Sequence, residues 1–524
     1  LMGWIATLVV AMELLFHSLA QPFTMATTHL GLKSFSLSKV VHDLLRAIAE
    51  AALLPHQTWL ALDAILRVWY RRLISHRRLL EWTSAQVTHG SALDQLPLHV
   101  ISAGLASVFS IGVGWAVQRW MPSNLALAGP WLVLWFLSPL LVWFLNFRRQ
   151  EKPRQVLLSA RDLLFLRKVS RRTWRYFSDF VSEKTSWLPP DNYQYSHRNQ
   201  LAMRTSPTNI GLGMLSTLAA NDFGYWTLDQ VVERLTRTLD TIGKLERHEG
   251  HLLNWYDIQT LAPLEPRYVS AVDSGNLLGA LWTLEHGLEE LIQAPILDAK
   301  AFAGLRDTGE ILKEEIAKAG ISDLDGHALN ELLRAWEDPP ERIADALCLL
   351  QRVDGKVRTL ADQVRESAGV DAGAAYWARE MQRQLSAWLM IADRYLTWIE
   401  VLDEKTEEEI AELGLDELLV LRQNLHHAPS LLDIAKGHPG GIQFLKLVRE
   451  GTPSEADPLH EWFGRLAEAF ARSQWLAGEM LALAERLIQD GRELSESIHM
   501  RFLYDAERRL FSIGYNVSAG RLDG

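Results

Sequence analysis

The chain is 524 residues long, enough for more than one domain with its own core. Its formal net charge of −11 argues against a general nucleic-acid binder, whose surface would be basic. Its one cysteine, Cys348, excludes an internal disulfide and a thiolate metal cluster.

Residues 1–150 read as a membrane region. Residues 1–20 are apolar except for Glu13 and His17, residues 98–118 carry one histidine and no formal charge, and residues 125–147 carry no charge. A bilayer core needs about 20 apolar residues in a helix. The last two stretches meet that need, while the first holds an acid that is costly in lipid. Residues 38–84 read as an amphipathic helix with a basic, aromatic end, suited to lie on the inner membrane surface; a soluble helix packed on the next domain is the other reading. Arg67, Arg71, Arg72, Arg77 and Arg78 precede the second span, and Arg148, Arg149, Lys152 and Arg154 follow the third. Only Arg119 lies between them, so the positive-inside rule places both flanks in the cytoplasm.

From residue 155 the pattern is helical. "PRQVLLSARDLLFLRKVSRRTWRYFSDFVSE" repeats apolar residues at three- and four-residue spacing, the signal of a helix with one buried face. Two prolines in "WLPPDN" stop it. Ser206 and Pro207 then suit the start of a helix, as do Thr227 or Asp229 at the next one. Residues 244–282, "KLERHEGHLLNWYDIQTLAPLEPRYVSAVDSGNLLGALW", gather five acids, two histidines and four aromatic residues between helix-like segments. Residues 298–497 continue as helices, broken at "AGISDLDGH", "WEDPPER", "KGHPGG" and "EGTPSEADP". This alternation suits a barrel of helix hairpins. "MRFLYDAERRLFSIGYNV" alternates as a β-hairpin does.

The polar stretch allows two readings. Carboxylates that accept bonds from vicinal hydroxyls, next to aromatic faces, suit a sugar, and in an extended loop Glu249 and Asp257 can face one cavity with Trp255 and Tyr256. In the plainer reading the acids cap helices and His248 and His251 are surface residues. "HEGH" is not the helical zinc pattern, because Gly250 opposes a helix, and "GLGMLSTLAANDFG" lacks the lysine of a phosphate loop. Asp273 or Ser274 would cap the helix that follows.

Four runs, "WRYFSDFVSEKTSWLPPDNYQ", "RTSPTNIGLGMLSTLAANDFGY", "LERHEGHLLNWYDIQTLAPLEPRYVSAVDSGNLLGALWTLE" and "RFLYDAERRLFSIGYNV", resemble in this order the cyclic β-1,2-glucan synthases of Gram-negative bacteria. The likeness covers residues 170–290 and 500–524 and takes in the membrane hairpin; residues 300–495 share only helical character. It implies a mainly α chain: membrane helices, then a glycoamylase-like α/α-barrel-like domain over 155–524 with a helical insertion at 300–495 and a β-hairpin near the C-terminus. It implies a multi-pass protein of the bacterial inner membrane with its soluble part in the cytoplasm.

In the intact family one domain extends the glucan from UDP-glucose, a middle domain cyclises it by transglycosylation, and a phosphorylase-like domain trims it. This chain would be a fragment holding the membrane connection and the start of the middle domain. The implied partners are a β-1,2-glucan chain, membrane lipid and the neighbouring glycosyltransferase and phosphorylase-like domains of the same polypeptide. No cofactor or metal is implied within the chain; UDP-glucose and a divalent metal would belong to the glycosyltransferase part. The catalytic carboxylates map outside the chain, which leaves Glu249 and Asp273 as the candidates within it. Glu249, Trp255, Tyr256, Asp257 and Asp273 are the expected substrate-side residues, joined by Trp187, Asp191 and Asn192. A non-catalytic, membrane-tethered module that binds glucan or holds neighbouring domains is the alternative.

Overall fold

The computed structural model describes residues 37–75, 96–147, 158–195, 200–321, 326–367, 372–412, 419, 422, 425, 428–437, 458–507 and 509–523. The chain is mainly helical and divides into two compact units, Leu1–Leu157 with Ala506–Leu510, and Leu158–Asp505 with Phe511–Gly524. The apolar stretch 1–20 and the basic residues Arg77, Arg78, Arg148, Arg149, Lys152 and Arg154 lie outside the described residues.

In the first unit, α1 (Leu37–Tyr70) continues as a π-helical turn, Arg71–Ser75. Ala51 and Ala52 are buried, while many of its large apolar residues stay exposed, among them Trp59, Leu66, Trp69 and Tyr70. Helix α2 (Leu96–Trp120) packs against α3 (Leu125–Phe136) and α4 (Ser138–Phe147). Polar contacts pin the packing: Ser110 Oγ donates to Leu132 O at 2.6 Å, Ser107 Oγ to Phe136 O at 2.7 Å, and Trp135 Nε1 to Ala51 O at 3.0 Å. The stretch expected as one helix over 125–147 is two, broken at Leu137. Pro139 follows two residues later; it has no N–H to give the preceding turn and disfavours helical backbone at Ser138. Among the described residues one stretch, Pro122–Phe144, is long and apolar enough to cross a membrane.

The second unit opens with α5 (Ala160–Phe180), started by a reciprocal Ser159–Asp162 capping box. The expected single buried apolar face is not what forms. Arg171 and Trp174 are buried, while Leu158, Leu163, Phe165, Leu166 and Val169 are 43–61% exposed. The helix turns its cations inward because acids wait there, Asp307 buried and Glu314 half-buried. Arg167 pairs with Asp307 at 2.8 Å, Lys168 and Arg172 pair with Glu314, and Arg171 donates to Thr308 Oγ1 at 2.9 Å.

Next come the strands β1 (Tyr193–Gln194), β2 (Gln200–Leu201) and β3 (Arg204–Thr205). Helix α6 (Pro207–Asp222) is capped by Ser206 with proline at its first position, and α7 (Leu228–Ile242) by a Thr227–Gln230 box, as the sequence pattern predicts. Four short strands follow: β4 (Arg247–His248), β5 (His251–Leu252), β6 (Tyr256–Asp257) and β7 (Tyr268–Ser270). They lead into α8 (Ala271–Gln293), which packs against α6. The later helices α9 (Ala299–Ala319), α10 (Gly326–Ala335), α11 (Ile343–Ser367), α12 (Ala372–Tyr395), α13 (Thr397–Asp403), α14 (Glu407–Glu412), α15 (Leu431–Ala435) and α16 (Pro458–Ser497) do not form a separate body. One continuous apolar core runs from Leu188 to Leu503, and Trp336, Trp388 and Trp398 of this late stretch are among its largest fully buried side chains.

The expected hairpin around "DAERR" forms between β8 (Tyr504–Asp505) and β9 (Leu510–Phe511), closed by Ser512 N–H donating to Leu503 O at 2.8 Å. Strand β10 (Gly514–Asn516) lies between β7 and β11 (Arg521–Asp523) in a three-stranded antiparallel sheet.

Candidate functional site

A connected polar cluster forms where α6 and α8 begin. Ser206 Oγ accepts from Asn209 N, and Ser270 Oγ accepts from Asp273 N at 3.1 Å. The cap of α8 is therefore Ser270, not Asp273 or Ser274. Its backbone is extended, as a cap requires, because Ser270 ends strand β7. That leaves the Asp273 carboxylate in the first turn of α8, where the helix dipole favours an anion. Its Oδ1 accepts from Thr208 Oγ1 at 2.6 Å, and Asn276 Nδ2 donates to the same Thr208 oxygen at 3.1 Å. Asn254, oriented so that both ends of its amide are satisfied, donates to Asp273 Oδ2 at 3.1 Å and accepts from Trp255 Nε1 at 3.2 Å.

The Trp255 ring carries the Arg204 guanidinium 4.5 Å from its centroid. Arg204 Nε and Nη2 donate to Asp191 Oδ2 at 3.1 and 2.9 Å, Asn192 Nδ2 donates to the same oxygen at 3.0 Å, and Asn209 Nδ2 reaches Oδ1 at 3.4 Å. Two supports fix these groups. Antiparallel pairing of β3 with β6 sets Arg204 beside the Trp255 segment. The "PPDN" turn is tied by Tyr176 Oη donating to Pro190 O at 2.8 Å. Burial, with Asp191 nearby, pushes that phenol up to about 12.

The structure thus brings together Asp191, Asn192, Trp255 and Asp273 of the expected residues. It adds Arg204, Thr208, Asn209, Asn254 and Asn276, which pattern reading passed over.

Four expected residues serve otherwise. Glu249 is an exposed tip residue of the β4–β5 hairpin; with φ of +51° beside +80° at Gly250, the two form the centre of a tight turn. Tyr256 is fully buried, and its hydroxyl accepts from Leu253 N at 2.6 Å and donates to Glu246 O at 2.5 Å, so it has no face to offer a sugar. Burial pushes its phenol up. Asp257 Oδ1 accepts from Gln259 N at 3.0 Å, Thr260 N at 2.8 Å and Thr260 Oγ1 at 3.0 Å, which closes a local turn. The Thr260 N–H is the main reason its carboxyl titrates below the ordinary value. Trp187 is a plug: Arg237 and Arg234 sit 4.4 and 5.6 Å from its ring centroid, and its carbonyl accepts from Thr238 Oγ1.

The histidines also depart from the surface reading. His248 stacks on Tyr515 at 5.2 Å, and His251 is fully buried, edge-on to Phe502 at 5.0 Å with Nδ1 2.8 Å from Ser274 Oγ. Among the described residues no three His, Cys, Asp or Glu side chains are placed to hold a metal ion. Burial pushes the His251 imidazole below its ordinary 6.5. Between the folded value and 6.5 the unfolded chain binds more protons, so stability is present above 6.5 and is lost as pH falls toward the folded value. Melting curves across this acid range should drop more steeply for the parent than for His251→Gln; parallel curves would remove His251 as the cause.

No family model matches the chain. It is 32% identical over 510 residues to the cyclic beta-(1,2)-glucan synthase NdvB of Rhizobium meliloti (strain 1021), a match that takes in 93% of this chain and 15% of that protein. A crystal structure described as a glucoamylase from Bacteroides fragilis NCTC 9343 is 16% identical and covers 39% of each chain with a TM-score of 0.19, too low to carry an argument.

Proposed function

Because the chain belongs to the cyclic β-(1,2)-glucan synthase family, we propose that residues 158–523 bind the glucan and present it for processing within such an enzyme. The chain spans 15% of the length of the relative it matches, so synthesis from UDP-glucose, cyclisation and the neighbouring domains all belong to this proposal. The observation that carries it is the cluster at the start of α6 and α8. Two carboxylates, four amides, a threonine hydroxyl, a guanidinium and an indole sit in one connected network. Vicinal hydroxyls need such acceptors and donors, and the indole supplies a flat apolar face. Asp273 accepts from Thr208 and Asn254, so its role is to hold and orient rather than to donate a proton. Glycosidic chemistry takes two carboxyls about 5–9.5 Å apart, and within this chain Glu249 stands apart from every hydrogen bond of the cluster. A glycoamylase-like barrel over the second unit, with the glucan at its mouth, fits this reading.

The purified chain should bind linear β-1,2-gluco-oligosaccharides in a calorimeter. Trp255→Ala should weaken binding about tenfold, the value of roughly 1.4 kcal/mol of lost contact. No heat with the parent chain overturns the proposal, and unchanged affinity in Trp255→Ala moves the site elsewhere.

The membrane part of the proposal is a hairpin of α2 with α3 and α4, both its ends in the cytoplasm and Ser123 outside. It rests on the basic flanks and the apolar stretch Pro122–Phe144. A reporter after Arg154 should behave as cytoplasmic and one near Ser123 as periplasmic; reversed labelling would sink the orientation.

A further inference from the structure

We propose that the first turns of α5 lie in the headgroup region of a lipid bilayer with their apolar side down. The inference rests on reading Pro122–Phe144 as a membrane span. Its ground is the inverted helix. At 3.6 residues per turn, Phe165, Leu166 and Val169 share an arc of about 100°; Leu163 lies beside it, and Leu158 stands just before the Ser159 cap. The opposite side holds Arg167, Lys168 and Arg171, which are spent on Asp307, Glu314, Thr308 and Glu380 inside the protein. A soluble helix normally hides its leucines and shows its cations; this one does the reverse. Five large apolar side chains at 43–61% exposure make a patch of the kind that marks a contact surface.

Chain length and charge say what covers it. Helix α5 starts 12 residues after Phe147 (residues 148–159), and 12 residues reach at most about 42 Å. The chain thus keeps the start of the helix within that reach of Phe147. Those 12 residues carry Arg148, Arg149, Lys152 and Arg154 against one acid, Glu151. Such a basic segment is drawn to anionic headgroups. A helix of this build sinks its apolar face about 5–10 Å into the boundary between headgroups and acyl chains.

The test uses the full chain in vesicles of phosphatidylethanolamine and phosphatidylglycerol. Cys348, exposed and the sole cysteine, is first changed to serine. Single cysteines then carry a bimane label: Phe165→Cys, Val133→Cys in the span, and Met390→Cys on the exposed surface of α12. Spin-labelled phospholipid should quench the labels at 165 and 133 but not at 390, and aqueous iodide should quench 165 several-fold less than 390. If iodide quenches 165 as well as 390, the face is in water and the proposal falls. If neither agent reaches 165, protein covers the face and the proposal also falls. Loss of lipid quenching at 133 instead overturns the span itself.

Discussion

Gly250→Ala should unfold the hairpin and lower the melting temperature by at least about 5 °C, the effect of several kcal/mol in a domain of this size. Gly250 has φ of +80°, and a β-carbon there would sit 1.7 Å from Ser497 O and 2.7 Å from its carbonyl carbon. Ser497 cannot give way easily, because it is the last residue of the 40-residue α16 and Ile498 N–H bonds back to Ser495 O at 3.3 Å. The hairpin must lift, which exposes His251 and Leu252, now 0% and 2% exposed. Gly478→Ala on the same helix is the matched control. Its β-carbon meets nothing within 4 Å, so it should gain about 0.5–1 kcal/mol of helix stability. Calorimetric melting of both variants decides the matter: a Gly250→Ala protein that melts with the parent would mean that hairpin and helix do not touch.

Glu380→Met should cost about 3–5 kcal/mol, the effect of removing one partner from a buried ion pair. Arg171 is 2% exposed, faces Glu380 at 3.5 Å, and lies 5.0 Å from the Trp377 ring centroid and 5.2 Å from that of Tyr225. Burial pulls its guanidinium below the usual arginine range, and Glu380 works against that pull. Without the carboxylate, the cation stays in an apolar slot. Arg171→Met with Glu380→Met should recover part of the loss, because two apolar groups leave no bare charge. Denaturant midpoints of the parent, single and double variants form the test. A harmless single variant would show that the pair contributes nothing.

What could be read in the sequence was what is set locally. The caps Ser206 with Pro207 and Thr227 depend on residues within one turn, so pattern alone places them. "WLPPDN" was legible as a stop, since α5 ends at Phe180 ahead of it. What could not be read depends on distant partners. "HEGH" carries no usual Asn-Gly turn signal, and its glycine is demanded by Ser497, 247 positions later (497 − 250). Arg204 enters the cluster only because β3 pairs with β6. The apolar repeat of α5 was genuine, yet it pointed outward, because Asp307 and Glu314 claim the other side. Tyr256 and Asp257 looked like sugar ligands by type; burial took Tyr256 out of reach, and Asp257 Oδ1 closes a local turn.

The three-stranded sheet also sets a timetable. Val269 of β7, next to the cap that holds Asp273, pairs with Tyr515, and Ala271 N–H bonds to Ile513 O at 3.0 Å. The two strands are 246 residues apart (515 − 269). At about 5–20 residues per second of synthesis, β10 leaves the ribosome roughly 12–50 s after β7. Through that interval α8 can form and pack on α6, but the strand leading into it lacks its partner strand and is held by Asn254 N–H donating to Tyr268 O at 2.7 Å. The pairing of β7 is therefore among the last contacts of the unit to form, and the nascent chain carries an unpaired strand edge for longer than it takes most helices to fold.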